Sequence, residues 1–131
     1  METKNVFECQ TPILSVKDVP ASIEHYVKVL GFKKDWGWGE PASFGSVSRD
    51  GVSIFFSQGG QGHSGTWMSI FMTDVDALYE EYKVSGAMIR QAPTNFPWGV
   101  REMNIEDIDG HRLRMSTSTS APDDGVPLCQ D

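Results

Sequence analysis

Apolar residues fall at helical spacing twice along the chain. Ile23, Tyr26, Val27 and Leu30 stand at i, i+3, i+4 and i+7, and Val75, Leu78, Tyr79 and Tyr82 repeat the same offsets. That spacing puts four side chains on one stripe of a helix, the face that turns inward. Each stripe follows an acidic helix-start residue, Asp18 or Asp74, and Pro20 adds a first-turn signal to the first. Gly31 and Gly86 are expected to close the two helices as C-terminal caps.

The segments around the helices read as strands. Thr11–Val16 precedes the first helix, and Phe32–Trp38, Ser43–Arg49 and Val52–Ser57 follow it, with Pro41 as a break. Trp67–Met72 precedes the second, and Met88–Ala92, Val100–Glu106 and His111–Ser116 follow. In each half an Asp-Gly pair, Asp50-Gly51 or Asp109-Gly110, turns the chain between the last two strands. Glycine supplies the positive φ that such hairpins require. Asp18 and Asp74 are 56 positions apart, as are Tyr26 and Tyr82. The chain is therefore an internal repeat of strand, helix and three strands. This predicts an α+β domain, two βαβββ repeats forming a curved mixed-sheet cup with the helices on its outer face. The expected domain spans 11–116, as units 11–57 and 66–116 joined by a Gly-rich linker at 58–65. Residues 1–10 are a lead-in, and 117–131, rich in Ser, Thr, Pro and Asp, a flexible tail.

Side chains alternate across a strand, so parity sorts them between helix side and cup side. Leu14, Val16, Val52, Ile54, Phe56, Phe71, Leu113 and Met115 are assigned to the helix side. The cup side then receives Thr11, Ile13, Ser15, Ser53, Phe55, Met68, Ile70, Met72, Arg112 and Arg114, a mixed set suited to a ligand cavity. On Val100–Glu106 the facing of Glu102 against Met103 depends on register and stays open.

Composition narrows the partners. The 131 residues carry a formal charge of −7, which argues against a nucleic-acid backbone or an anionic membrane surface. No run reaches the roughly 20 apolar residues of a membrane span, and no signal sequence opens the chain. Cys9 and Cys129 lie near opposite ends without CxxC spacing, so free thiols and a cytoplasmic location are expected.

The segments LSVKDVPASIEHYVKVLGF, SIFMTDVDALYEEYKVSGA and DIDGHRLRM together resemble the vicinal oxygen chelate superfamily. It includes glyoxalases, extradiol dioxygenases, fosfomycin-resistance enzymes and bleomycin-resistance proteins, and the resemblance covers about 11–116. Enzymes of that superfamily hold a divalent metal in the cup on His, Gln or Glu of each unit's first strand and Glu of the last. The resemblance carries those positions onto Thr11, Phe55, Met68 (Trp67 with a one-residue slip) and Arg114. None suits a hard or borderline divalent cation, and Arg114 is a cation itself. Neither a metal nor a cofactor is therefore expected. His25, His63 and His111 share no ligand spacing.

Four tryptophans and the neighbouring apolar residues offer another lining. Trp36, Trp38, Phe44, Phe55, Met68, Trp98, Met103 and Arg114 are the candidate ligand-binding residues. Aromatic walls suit flat, partly apolar ligands, although the same rings also serve as core or dimer interface, and Trp98 as a wedge beside the hairpin. Arg114 has two readings, a fork for an anionic or carbonyl-bearing ligand and an ion pair with Glu102, the latter preferred. No catalytic residues are assigned. The expected function, following the bleomycin-resistance resemblance, is a metal-free homodimeric protein that binds a small aromatic or amphipathic molecule, as in antibiotic resistance. The alternatives are a glyoxalase- or dioxygenase-type metal enzyme with displaced ligands, and a domain whose pocket is vestigial and which serves only in association.

Overall fold

The computed structural model describes residues 5–59 and 61–119. The first lead-in residues, most of the expected tail and Cys129 lie outside the described residues. The first unit runs β1 (Ile13–Val16), α1 (Val19–Lys28), β2 (Lys33–Trp38), β3 (Phe44–Arg49) and β4 (Val52–Gln58). The second repeats it as β5 (Trp67–Phe71), α2 (Val75–Ser85), β6 (Met88–Phe96), β7 (Val100–Glu106) and β8 (Arg112–Ser118). Each unit builds a four-stranded mixed sheet, ordered β1-β4-β3-β2 and β5-β8-β7-β6, in which only the β1–β4 and β5–β8 pairs are parallel. The α+β fold of two βαβββ repeats with curved sheets is thus present, although no barrel closes.

Both helices start as the pattern required. The side chains of Asp18 and Asp74 accept hydrogen bonds from the amides of Ala21 and Ala77, each at 3.1 Å, satisfying donors that a first turn leaves free. Gly86 caps α2 in the left-handed region, at φ 90°. Gly31 does not cap α1. Val29 does, in ordinary helical geometry, and Gly31 takes φ 80° two residues later. Its reason is close approach as well: a Cβ there would lie 2.5 Å from Nη1 of Arg49, which donates to the Leu30 carbonyl and to Glu81.

The buried stripes and the sheets share one core. Leu14, Val16, Ile54, Phe56, Leu113 and Met115 pack under the helices with Ile23, Tyr26, Leu30, Val75 and Tyr82. Gly45 on β3 lets α1 approach, since a Cβ would fall 2.9 Å from Cδ1 of Ile23. Strand β5 corrects the parity assignment. Met68 and Ile70 pair with Leu113 and Met115 and, like Met72, pack against the core, whereas Phe71 pairs with Ser116 and is exposed. β6 also runs four residues past Ala92, through Pro93. It is an edge strand with two register shifts, where a missing N–H costs no ladder bond.

Polar ties lock the two units together. Tyr26 of α1 donates to Asp107 beyond β7 at 2.6 Å, and Tyr82 of α2 donates to the Leu30 carbonyl at 2.7 Å. Asp107 also accepts from the amides of Asp109 and His111. The Thr66 amide donates to Nδ1 of buried His111, so Nε2 carries the proton and donates to the Ser15 carbonyl at 2.7 Å. His111 is a structural tie between β1 and the start of β8.

Candidate functional site

The concave face of the first sheet is aromatic. Trp38 pairs with Phe44, Trp36 with Ser46, and Ser46 with Phe55, so these side chains share one face. Trp36 stacks on Phe44 with ring centres 5.6 Å apart, and Phe55 meets both edgewise at 5.3 and 5.6 Å. Such offset and edge-to-face pairs are attractive beyond their burial. A cleft of about 700 Å³ is lined by Trp36, Trp38, Phe44 and Ser57, with Gln58 at its end. It is open: Trp36 is 41% and Trp38 71% exposed. Further along the face the lining turns polar, where Asp35 accepts from the hydroxyls of Ser46 and Ser48.

The concave face of the second sheet is charged. Arg114 donates through Nε and Nη2 to the two oxygens of Glu102, both at 2.9 Å, and Ser116 donates to Oε1 at 3.2 Å. This bidentate bond holds the Arg114 guanidinium above its ordinary pKa, and it is the ion pair preferred from the sequence. Glu106 accepts from Arg90 at 2.8 Å and lies 3.5 Å from Arg112, contacts that push its carboxyl below its ordinary pKa. Trp67 covers the Arg112 guanidinium at 5.0 Å.

Of the eight candidate ligand-binding residues, four come together: Trp36, Trp38, Phe44 and Phe55. Arg114 lies on the other sheet. Met68 is turned to the helix side by the parallel β5–β8 register, and Met103, fully buried, pairs with Met115 in the core. With Met103 inward, Glu102 faces the cup. Trp98 sits on the β6–β7 turn of the second unit, stacked on Phe96 at 4.8 Å. Reading the sequence missed Ser69, Gln91 and Asn104, which share the cup face with Arg114. The alternation of β7 carries a signal for Asn104, and nothing in the sequence flags the other two.

The superfamily's metal does not fit this donor set. Thr11 precedes β1, Phe55 is an aromatic wall, Trp67 stacks on Arg112, and Arg114 carries a positive charge bonded to Glu102. Among the described residues no three His, Cys, Asp or Glu side chains converge as a metal-holding group. His25 is half-buried with Nε2 unpartnered, and burial lowers its pKa against the raising effect of Asp107 and Asp109. Among the described residues no helix is long and apolar enough to cross a membrane.

Several solved structures share this fold. A bleomycin-binding protein from bleomycin-producing Streptomyces verticillus, solved with copper(II)-bleomycin, is 28% identical, with a TM-score of 0.73 over 89% of this chain and 100% of that one. TioX from Micromonospora sp. ML1 is 20% identical, with a TM-score of 0.76 over 84% and 98%. A glyoxalase-related enzyme from Clostridium phytofermentans is 22% identical, with a TM-score of 0.74 over 89% and 99%. No curated protein matches the chain. The family model for the glyoxalase, bleomycin resistance protein and dioxygenase superfamily matches residues 9–115, and the chain belongs to that superfamily.

Proposed function

We propose that this protein is a metal-free, homodimeric small-molecule-binding protein that holds an aromatic or amphipathic ligand in the aromatic-lined cleft of its first sheet. The observation that carries the reading is the open cluster of Trp36, Phe44 and Phe55 with Trp38 at its rim. A contiguous aromatic surface left in water costs solubility unless something covers it. A flat ligand offers two faces to such a wall, and the indole N–H groups offer orientation. The copper(II)-bleomycin complex of the 28% identical relative supports sequestration of an antibiotic-like molecule as the biological role. The metal-free part rests on the donor set, in which the last-strand position is a cation bound to its own carboxylate.

The dimer rests on what each concave face presents. Ile13, Trp36 and Trp38 are exposed on the first sheet, and Trp67, Phe71 and Met88 on the second. A two-fold axis setting the first sheet of one protomer against the second sheet of its partner covers both sets and encloses two equivalent clefts. It also keeps the arginine-bearing face from meeting itself. A cytoplasmic location completes the proposal and suits the exposed thiol of Cys9.

The test is titration of the purified protein with planar aromatic ligands, followed by tryptophan fluorescence, beside the Trp36→Ala, Phe55→Ala double variant. We expect saturable quenching in the parent and at least a tenfold loss of affinity in the variant, with both proteins sedimenting as dimers. A stoichiometric metal after chelator-free purification, or binding indifferent to the double change, would overturn the reading.

A further inference from the structure

The charged face of the second sheet has an order that pairing alone does not require. Across its four strands one register row reads Ser69, Arg114, Asn104 and Gln91, from β5 to β6. Every member carries a hydrogen-bond donor and none is a carboxylate. The two carboxylates of this face stand in the rows on either side, and both are occupied. Glu102 is taken by Arg114 and Ser116, and Glu106 by Arg90 and Arg112.

Arg114 is bonded along one edge only. Its Nε and Nη2 hold Glu102, whose side chain is 8% exposed, while 39% of the Arg114 side chain remains open. Nη1 has no partner among the described residues, so the outer edge keeps a second pair of parallel N–H groups. Asn104 is oriented to match. Its Oδ1 accepts from Nη1 of Arg112 at 2.8 Å, which leaves its amide N–H groups as the free end. Exposed Ser69 stands on the other side of Arg114. Three guanidiniums against two carboxylates also leave this face one positive charge in surplus, on a chain of net charge −7.

We infer that the Ser69–Arg114–Asn104 row binds a carboxylate of the ligand, so that the protein selects flat aromatic acids over neutral or cationic aromatics. The inference rests on the proposed cleft, in which this row faces the aromatic wall across the dimer. A planar carboxylate matches the planar outer edge of the guanidinium, and Glu102 is the positioning residue that turns that edge outward. The acidic net charge does not oppose this. At physiological ionic strength charges beyond about 8 Å are largely screened, and the ligand meets the local surplus.

The probes are 2-naphthoate, 2-naphthylmethanol and 2-naphthylmethylamine, matched in ring and differing in charge, titrated calorimetrically into the dimer. The parent should bind the acid about 10- to 100-fold more tightly than the alcohol, the factor expected of a charge-assisted hydrogen-bonded pair. Arg114→Gln combined with Glu102→Gln, which removes the cation without stranding its buried carboxylate, should erase that preference. Ser69→Ala, a change at an exposed side chain that leaves the fold untouched, should weaken the acid alone by about 2- to 10-fold. Trp36→Ala should weaken all three probes alike. Equal binding of acid and alcohol, or tighter binding of the amine, would overturn the inference and leave the cleft standing. If none of the three binds, the cleft reading falls and this inference with it.

Discussion

Tyr26 and Tyr82 stand at equivalent positions of the repeat, yet their hydroxyls meet acceptors of different kind, and the difference is measurable. Tyr26, fully buried, donates to the carboxylate of Asp107 at 2.6 Å; Tyr82, 1% exposed, donates to the neutral Leu30 carbonyl at 2.7 Å. Replacing either by Phe removes one oxygen and keeps the ring, so packing is preserved and the hydrogen bond is what changes. A bond to a charged group contributes about 1.5–3 kcal/mol net and a neutral one about 0.5–1.5 kcal/mol. Asp107 keeps the amides of Asp109 and His111 on Oδ1, so Tyr26→Phe leaves only Oδ2 short of that donor. We therefore expect Tyr26→Phe to cost about 2 kcal/mol and Tyr82→Phe about 1 kcal/mol. With unfolding entropy of about 2.1 cal/mol/K per residue, 1 kcal/mol lowers the Tm of a chain this size by about 4 °C. The expected falls are about 8 °C and about 4 °C by calorimetry, confirmed by urea midpoints at unchanged slope. Equal losses, or a smaller loss at Tyr26, would refute the assignment of the Asp107 contact as the stronger clasp between the two units.

Burial, and for Tyr26 also Asp107, raises both phenol pKa values, Tyr82 to about 12, so neutral tyrosine is favoured by the fold. Stability is then complete below about pH 10 and lost between there and about pH 12, by roughly 2–3 kcal/mol for Tyr82; ionisation of these two phenols near pH 10 in the folded protein, read at 295 nm, would contradict this. Burial lowers the pKa of His25, so unfolding is aided as pH falls below its ordinary value near 6.5, and His25→Gln should flatten that acid limb in chemical denaturation. Gly45→Ala inserts a Cβ against Ile23 and Val19 and should cost about 1–3 kcal/mol, measured as a lowered urea midpoint.

Much of the fold was legible because several local signals agree. The helix stripes, the acidic starts and the 56-residue offset all follow from short-range pattern, and each survives in the structure. The Arg114–Glu102 pair was legible too, because Arg112, Arg114 and Ser116 alternate with apolar Leu113 and Met115 on β8. The facing of β5 was not. Trp67–Met72 is apolar at both parities, so no alternation distinguishes its faces, and only pairing with β8 turns Met68 to the core and Trp67 to the cup. Met103 failed as a ligand-binding candidate for a related reason: a register between β7 and β8 is a long-range fact that a hairpin turn only partly fixes. The Ser69–Arg114–Asn104 row was invisible because its members lie on three strands and acquire meaning only as neighbours.

The poor fit of this donor set to a divalent cation is a property of the whole face rather than of one residue. Arg114 carries a charge opposite to the glutamate that enzymes of the superfamily keep on the last strand, and its surroundings match that charge. Glu102 is 8% exposed and accepts three hydrogen bonds, from Nε and Nη2 of Arg114 and from the Ser116 hydroxyl. A carboxylate so enclosed needs its cation, because removing one partner strands a poorly hydrated charge at a cost of several kcal/mol. Exchanging Arg114 for glutamate would set two carboxylates side by side, with Phe55 and Trp67 where further ligands would have to stand. Glu102 is thus held by its own cation, which disfavours a divalent ion beside it. On the opposite sheet the Trp36, Phe44 and Phe55 rings pack together as apolar surface. The Arg114–Glu102 pair on one sheet and the aromatic lining on the other both support the proposed recognition of a flat ligand over chemistry at a cation.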